Sequence, residues 1–241
     1  MKDRLSSDNE VYEIEKTVLK SPVVFAGFVG AGLVGPLAVG CMIDKLDMKE
    51  IAYFRSKHLP PSTVFMQGRL RHPFRVYSND DGTVCAVICD ITLPFGLHDI
   101  VNTILDWAEK NGSHEIVILD GVASTIHDDK AFCAAEEDLC RVMEDNDIKM
   151  IPQGFITGVA GGLLNECLVR KIQGVALLVK ANDKGQDPLA AATLVKAVNR
   201  AYHMDIDTTE LRKEKKRIDA DFRELSDKYT EHRKIDSNMY M

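Results

Sequence analysis

The period of hydrophobic and polar positions changes several times along the chain. Val11-Tyr12-Glu13-Ile14-Glu15 alternates, as a strand with one buried face does. Pro22-Val23-Val24-Phe25-Ala26-Gly27-Phe28 is instead a short continuous apolar run, the kind buried on both faces. After a glycine-rich turn, Leu33 to Leu46 has helical spacing, and Ile51–Phe54 is again strand-like. Thr63–Met66, Phe74–Tyr77 and Thr83–Asp90 predict three more strands, and the Asp-Gly pair in Asn79-Asp80-Asp81-Gly82 suits a hairpin turn between the last two.

Beyond residue 96 the pattern becomes regular. Helices are predicted over 97–110, 130–146 and 159–170, with strands over 115–119, 149–155 and 174–180 between them. Asp187 then reads as an N-cap, with Pro188 in the first turn of a helix that ends near Tyr202. Strands and helices in strict alternation imply parallel strands joined by helical crossovers. The expected fold is α/β: a mostly parallel sheet sandwiched by helices, with an antiparallel hairpin inserted around residues 63–90.

The last segment follows different rules. None of the 16 glycines or 8 prolines lies beyond Pro188. Asp207-Thr208-Thr209-Glu210 has capping-box spacing, and Leu211, Ile218, Phe222, Leu225 and Tyr229 recur as one narrow apolar stripe. Asp219 with Arg223, and Glu224 with Lys228, are i,i+4 pairs in the favourable order. Helices draw most of their stability from packing, so this stripe is expected on the core or on another subunit. The chain therefore divides into a core domain over 1–203, a charged helical extension over 204–233 and a flexible tail over 234–241.

Composition narrows the function. A chain of 241 residues with 45% hydrophobic content accommodates one large domain with an appendage. Its 37 acidic against 30 basic side chains, a net charge of −7, argue against nucleic acid as a main partner. The polar N-terminus lacks the apolar run of a signal peptide, and the longest apolar stretch, about Val23 to Ile43, is broken by five glycines and a proline. No membrane association is expected. The six cysteines contain no C-x-x-C pair and sit among aliphatic residues, which reads as reduced, buried thiols of a cytoplasmic protein rather than as zinc ligands.

Three loops carry residues of chemical interest. Gly30-Ala31-Gly32-Leu33-Val34-Gly35 is a literal G-x-G-x-x-G between strand and helix. Dinucleotide binding also wants an acid at the end of the second strand, and that strand ends Phe54-Arg55-Ser56-Lys57, so the glycines read first as turn and packing residues. Gly154 to Gly162 joins strand to helix in the same way. Gly30, Gly32 and Gly35 on one loop, with Gly158 and Gly161 on the other, would frame a small-molecule pocket at the carboxyl edge of a parallel sheet. Asp120 to Asp129 gathers Ser124, His127 and three aspartates, without a G-x-S-x-G elbow or a second histidine at ligand spacing, and reads as ordinary loop and cap composition. No metal and no cofactor are expected.

The remaining feature is the ending, Met239-Tyr240-Met241, a hydrophobic-Tyr-any triplet after a polar stretch. It presents an aromatic ring and a carboxylate to solvent, and capture of such a terminus in a partner pocket is a recurrent recognition mode. The tyrosine supplies contact area at low rotamer cost, and the carboxylate a charge that a Lys or Arg can pair.

Gly27-Phe28-Val29-Gly30-Ala31-Gly32-Leu33-Val34-Gly35 resembles the first glycine-rich loop of the proteasome assembly chaperone family, in its archaeal branch. Gly154-Phe155-Ile156-Thr157-Gly158-Val159-Ala160-Gly161-Gly162-Leu163-Leu164 resembles that family's second glycine loop, and Asp187-Pro188-Leu189-Ala190-Ala191-Ala192 the start of its last core helix. The resemblance implies a fold similar to nucleoside-phosphorylase and peptidyl-tRNA-hydrolase architectures, and assembly into homo-oligomers. It also implies a partner, the α-subunits of the proteasome core particle, between which the tail would dock with its carboxylate on a pocket lysine. Met239, Tyr240 and Met241 match that tail. The expectation is an ATP-independent proteasome assembly chaperone or activator, not an enzyme, whose several weak tails gain through effective concentration. The rival reading is a hydrolase or ATP-grasp-like ligase using the pocket between the two glycine loops.

Overall fold

The computed structural model of the protein describes residues 9–217, other than Gln67 and His127. Its elements run β1 (Asn9–Glu13), β2 (Val23–Gly27), α1 (Val34–Lys45), β3 (Lys49–Ser56), β4 (Val64–Met66), β5 (Arg69–Arg71), β6 (Phe74–Ser78), β7 (Val84–Cys89), α2 (Leu97–Lys110) and β8 (Glu115–Ala123). β9 (Ala131–Ala135), α3 (Glu137–Asp145), β10 (Lys149–Met150), α4 (Gly158–Arg170), β11 (Gln173–Ala181) and α5 (Pro188–Tyr202) follow, and residues 209–217 are also helical.

Nine of the described strands form one sheet in the order β1-β3-β6-β7-β2-β8-β11-β9-β10. The four central strands, β7, β2, β8 and β11, are parallel. Antiparallel pairs flank them, β1-β3-β6-β7 on one side and β11-β9 on the other. Alternate residues of the central strands feed two cores. Phe25, Val117, Leu119 and Leu177 pack with α1, α3 and α5; Val24, Ala26, Ile116, Ile118 and Leu178 pack with α2 and α4. Burial on both faces is why these strands read as unbroken apolar runs. The helices carry matching stripes: on α2, Ile100, Val101, Ile104, Leu105, Trp107 and Ala108 are buried at helical spacing.

The α/β sandwich is the one expected, with antiparallel pairing at its edges beyond the single inserted hairpin, and three local readings change. The helix predicted over 130–146 is β9 followed by a shorter α3, because the open edge of β11 takes Ala131–Ala135 as an antiparallel partner. The strand predicted over 149–155 shortens to Lys149–Met150. Val64–Met66 pairs with Arg69–Arg71, a strand the pattern did not show, in a separate hairpin; the hairpin of β6 and β7 belongs to the main sheet. That second turn closes as its composition suggests, with Asn79 Oδ1 accepting the amides of Thr83 and Val84, both at 3.0 Å.

Packing continues past residue 203. The Asn199 side chain both donates to and accepts from the backbone of Ile206, each at 3.0 Å, and Ile206 and Leu211 join the core beside α1 and α5. Asp207 Oδ1 accepts the amide of Thr209 at 3.0 Å, while Glu210 turns forward to Lys213 at 2.8 Å instead of closing a capping box. The rest of the predicted extension, from 218, and the tail over 234–241 lie outside the described residues.

Candidate functional site

Register places Gly27, Ile88, Leu119 and Leu177 side by side, so the carboxyl ends of β2, β7, β8 and β11 open on one edge. Ligands of open parallel sheets favour this edge. A cavity of about 320 Å3 lies there, walled by the loops after β2 and β7, the end of β8 and the segment entering α4. The two glycine loops of the sequence do meet here: Gly30 and Gly158 both border the cavity.

Gly32, Gly35 and Gly161 do not border it, and each is held by close packing. A Cβ on Gly35 would lie 2.5 Å from the carbonyl oxygen of Leu119, so glycine lets α1 sit directly on the sheet. Gly32 has φ +64°, and its carbonyl accepts the amide of Asp187 at 2.8 Å. A Cβ on Gly161 would collide with the carbonyl oxygen of Ile156. Asp187 is the buried cap expected of α5: Oδ1 accepts the amide of Ala190 and Oδ2 that of Asn182, each at 3.1 Å. It thereby ties the β11–α5 loop to the first glycine loop.

Asp120, near the end of β8, is the sole ionisable group among the described residues lining the cavity. Its Oδ1 accepts the amide of Gly121 at 2.7 Å and would stand 2.5 Å from a Cβ on Gly30, so glycine at 30 leaves room for the carboxylate. Burial pushes the Asp120 carboxyl above its usual range, opposed by the Gly121 hydrogen bond. The sequence signal for this residue is an aspartate closing the wholly apolar run Ile116-Val117-Ile118-Leu119. Below the cavity, Arg170 fastens α4 to α2 through Asp106 at 2.6 Å, Glu109 at 2.7 Å and Asn102 at 2.7 Å, and pairs with Glu166 within α4.

The serine–aspartate loop assembles no catalytic pair among the described residues. Ser124 Oγ donates to Ile126 O and accepts its amide, both at 3.1 Å, a local turn. Asp128 pairs with Lys180 at 3.4 Å, Asp129 is exposed, and His127 lies outside the described residues. All six cysteines are buried and unpaired, and burial pushes the Cys85, Cys89, Cys133 and Cys167 thiols up to about 12. They are packing residues, not nucleophiles. Among the described residues, no group of three or more His, Cys, Asp or Glu is placed to hold a metal ion, and no helix is long and apolar enough to cross a membrane. Met239, Tyr240 and Met241 lie outside the described residues.

Central parallel strands between two helical layers, with paired glycine loops at their carboxyl edge, define the class of this protein. The chain belongs to the PAC2 family, whose sequence profile matches residues 24–226. It is similar to Pyrococcus furiosus PbaA, an archaeal homolog of proteasome-assembly chaperone, with 25% identity, 97% of this chain and 98% of that chain covered, and a TM-score of 0.87. Pyrococcus furiosus PbaB, an archaeal proteasome activator, aligns at 23% identity over 91% of this chain and 99% of its own, with a TM-score of 0.81. A Thermoplasma acidophilum protein with unknown function is 33% identical, covering 90% of each chain, with a TM-score of 0.78. The resemblance carried by the two glycine loops and the start of α5 is thus matched over nearly the whole chain.

Proposed function

We propose that this protein is an ATP-independent chaperone or activator of the proteasome that docks its C-terminal tail between α-subunits of the core particle. The observation that carries the reading is the similarity to PbaA over 97% of the chain, joined to an ending in hydrophobic-Tyr-any. In this mechanism the Tyr240 ring fills the partner pocket, the Met241 carboxylate pairs with a pocket cation, and Met239 covers an apolar part of the rim. Homo-oligomers presenting several tails would bind by avidity in the cytoplasm.

Deletion of residues 239–241 tests the proposal. Loss of α-subunit pull-down and of peptidase stimulation, with an unchanged melting curve, is the expected result. Binding and stimulation that persist undiminished would overturn it. Native mass spectrometry with and without α-subunits reads the stoichiometry directly, and a melting-temperature shift with nucleotides would favour the ligase alternative.

A further inference from the structure

We propose that the cavity at the carboxyl edge binds a primary ammonium group on a short aliphatic stem, with Asp120 as its acceptor. Partly or fully buried carboxylates elsewhere among the described residues are matched. Glu50 meets Arg71 at 2.9 Å and the Tyr77 hydroxyl, Asp90 meets Arg75 at 2.7 Å, Glu115 meets Tyr202 at 2.6 Å, and Asp187 takes two backbone amides. Among the described residues Asp120 has one hydrogen-bond partner, the amide of the next residue, on Oδ1, and it borders the cavity.

The surroundings select the ligand. No Lys, Arg or His is among the described lining residues, so no side chain there compensates a phosphate or carboxylate, and the Asp120 charge repels one. Thr92 and Thr157 are the neutral polar side chains of the wall, and Phe28, Ile91, Leu93 and Ile156 supply apolar surface for a stem. A volume of about 320 Å3 falls at the small end of ligand pockets, roughly 300–1,000 Å3. An ammonium is the group that relieves this carboxylate, because burial disfavours the lone anion and an adjacent cation restores it. Gly30 leaves room for the carboxylate itself, since a Cβ there would stand 2.5 Å from Oδ1. The same chemistry comes from two sources, a free aliphatic amine or a lysine side chain offered by a protein partner.

Calorimetric and amide-NMR titrations of the full chain with n-butylamine, a blocked lysine tripeptide, n-butanol and butyrate test the proposal. Saturable binding of the amine or the peptide is expected, with none for the alcohol or the acid, and with a loss of about tenfold or more in Asp120→Asn. Amine binding without peptide binding assigns a free small molecule; peptide binding at least as tight assigns a partner lysine. Equal binding of butanol and butylamine, undiminished affinity in Asp120→Asn, or no saturable binding at millimolar ligand each overturns the proposal. Melting curves accompany the variant. Should it unfold, Val122→Trp at the exposed mouth replaces it; weaker amine binding by that variant is the supporting result, and unaltered binding the opposing one.

Discussion

Tyr202, at the end of α5, donates its hydroxyl to Glu115 Oε1, at the start of β8, across 2.6 Å. Glu115 is buried, and the Tyr202 ring meets Phe25 edge-on with centroids 5.0 Å apart, so this bond pins the last core helix to the central sheet at the edge opposite the cavity. Tyr202→Phe leaves the carboxylate without its donor and is expected to cost roughly 1.5–3 kcal/mol in urea unfolding. Burial and the neighbouring Glu115 push the Tyr202 hydroxyl well above its usual 10. A raised folded-state pKa contributes stability that is full below the unfolded value and declines above it, since the unfolded chain then releases a proton the folded chain keeps. The gap between parent and Tyr202→Phe should therefore narrow above pH 10.

Alkaline stability should also fall through the thiols. Burial raises Cys85, Cys89, Cys133 and Cys167 from 9 to about 12, and Cys41 to about 11. Above pH 9 the unfolded chain ionises them and the folded chain does not, so each removes up to about 1.4 kcal/mol per pH unit until its folded value is reached. Unfolding midpoints measured from pH 8 upward check this, and a Cys85→Ala variant should show a shallower decline.

Two glycines of one helix should respond in opposite ways. Gly35→Ala forces a methyl against the Leu119 carbonyl and should destabilise by about 1–3 kcal/mol, the overpacking penalty. Gly40, also in α1, has no atom within 4 Å of a built Cβ, and Gly40→Ala should stabilise by about 0.5–1 kcal/mol through helix propensity. Paired chemical-denaturation curves separate the two.

Arg75 is buried, with Nη2 on Asp90 at 2.7 Å, Nε on the Tyr77 hydroxyl at 3.0 Å and Nη1 on the His72 carbonyl at 2.6 Å. Arg75→Met strands the Asp90 charge and should cost about 3–5 kcal/mol; adding Asp90→Asn should recover part of it. Arg75→Lys should not rescue, because an ammonium cannot reproduce the three-way fork.

For the tail, Tyr240→Ala should weaken α-subunit binding by about 2 kcal/mol or more, as loss of an aromatic anchor does. A few residues appended after Met241 should abolish binding by displacing the carboxylate. Surface plasmon resonance on immobilised α-subunits measures both, and equal affinities across the set would refute tail docking.

Much of the framework was legible in the order of residues. β2, β7, β8 and β11 announce themselves because burial on both faces demands unbroken apolar runs, and α2 because its Ile100–Ala108 stripe recurs at the helical period. Asp187-Pro188 marked the start of α5 through its cap, whose chemistry is local. Ala131-Phe132-Cys133-Ala134-Ala135 misled for a physical reason: small apolar residues satisfy either period, and the free hydrogen-bonding edge of β11, over forty residues later, decides for strand.

The candidate site divides along the same line. Local pattern and spacing determined that two glycine loops follow strands and precede helices, and the sequence itself carries the hydrophobic-Tyr-any triplet Met239-Tyr240-Met241. Which glycines merely pack and which border a cavity was decided by tertiary contact, because the difference lies in what stands opposite each Cα: Leu119 O for Gly35, the Asp120 carboxylate for Gly30. The setting of Asp120 is likewise a property of the assembled sheet. The Asp120 carboxyl is pushed up only because folding buries much of it, with the next residue's amide as its one hydrogen-bond donor among the described residues.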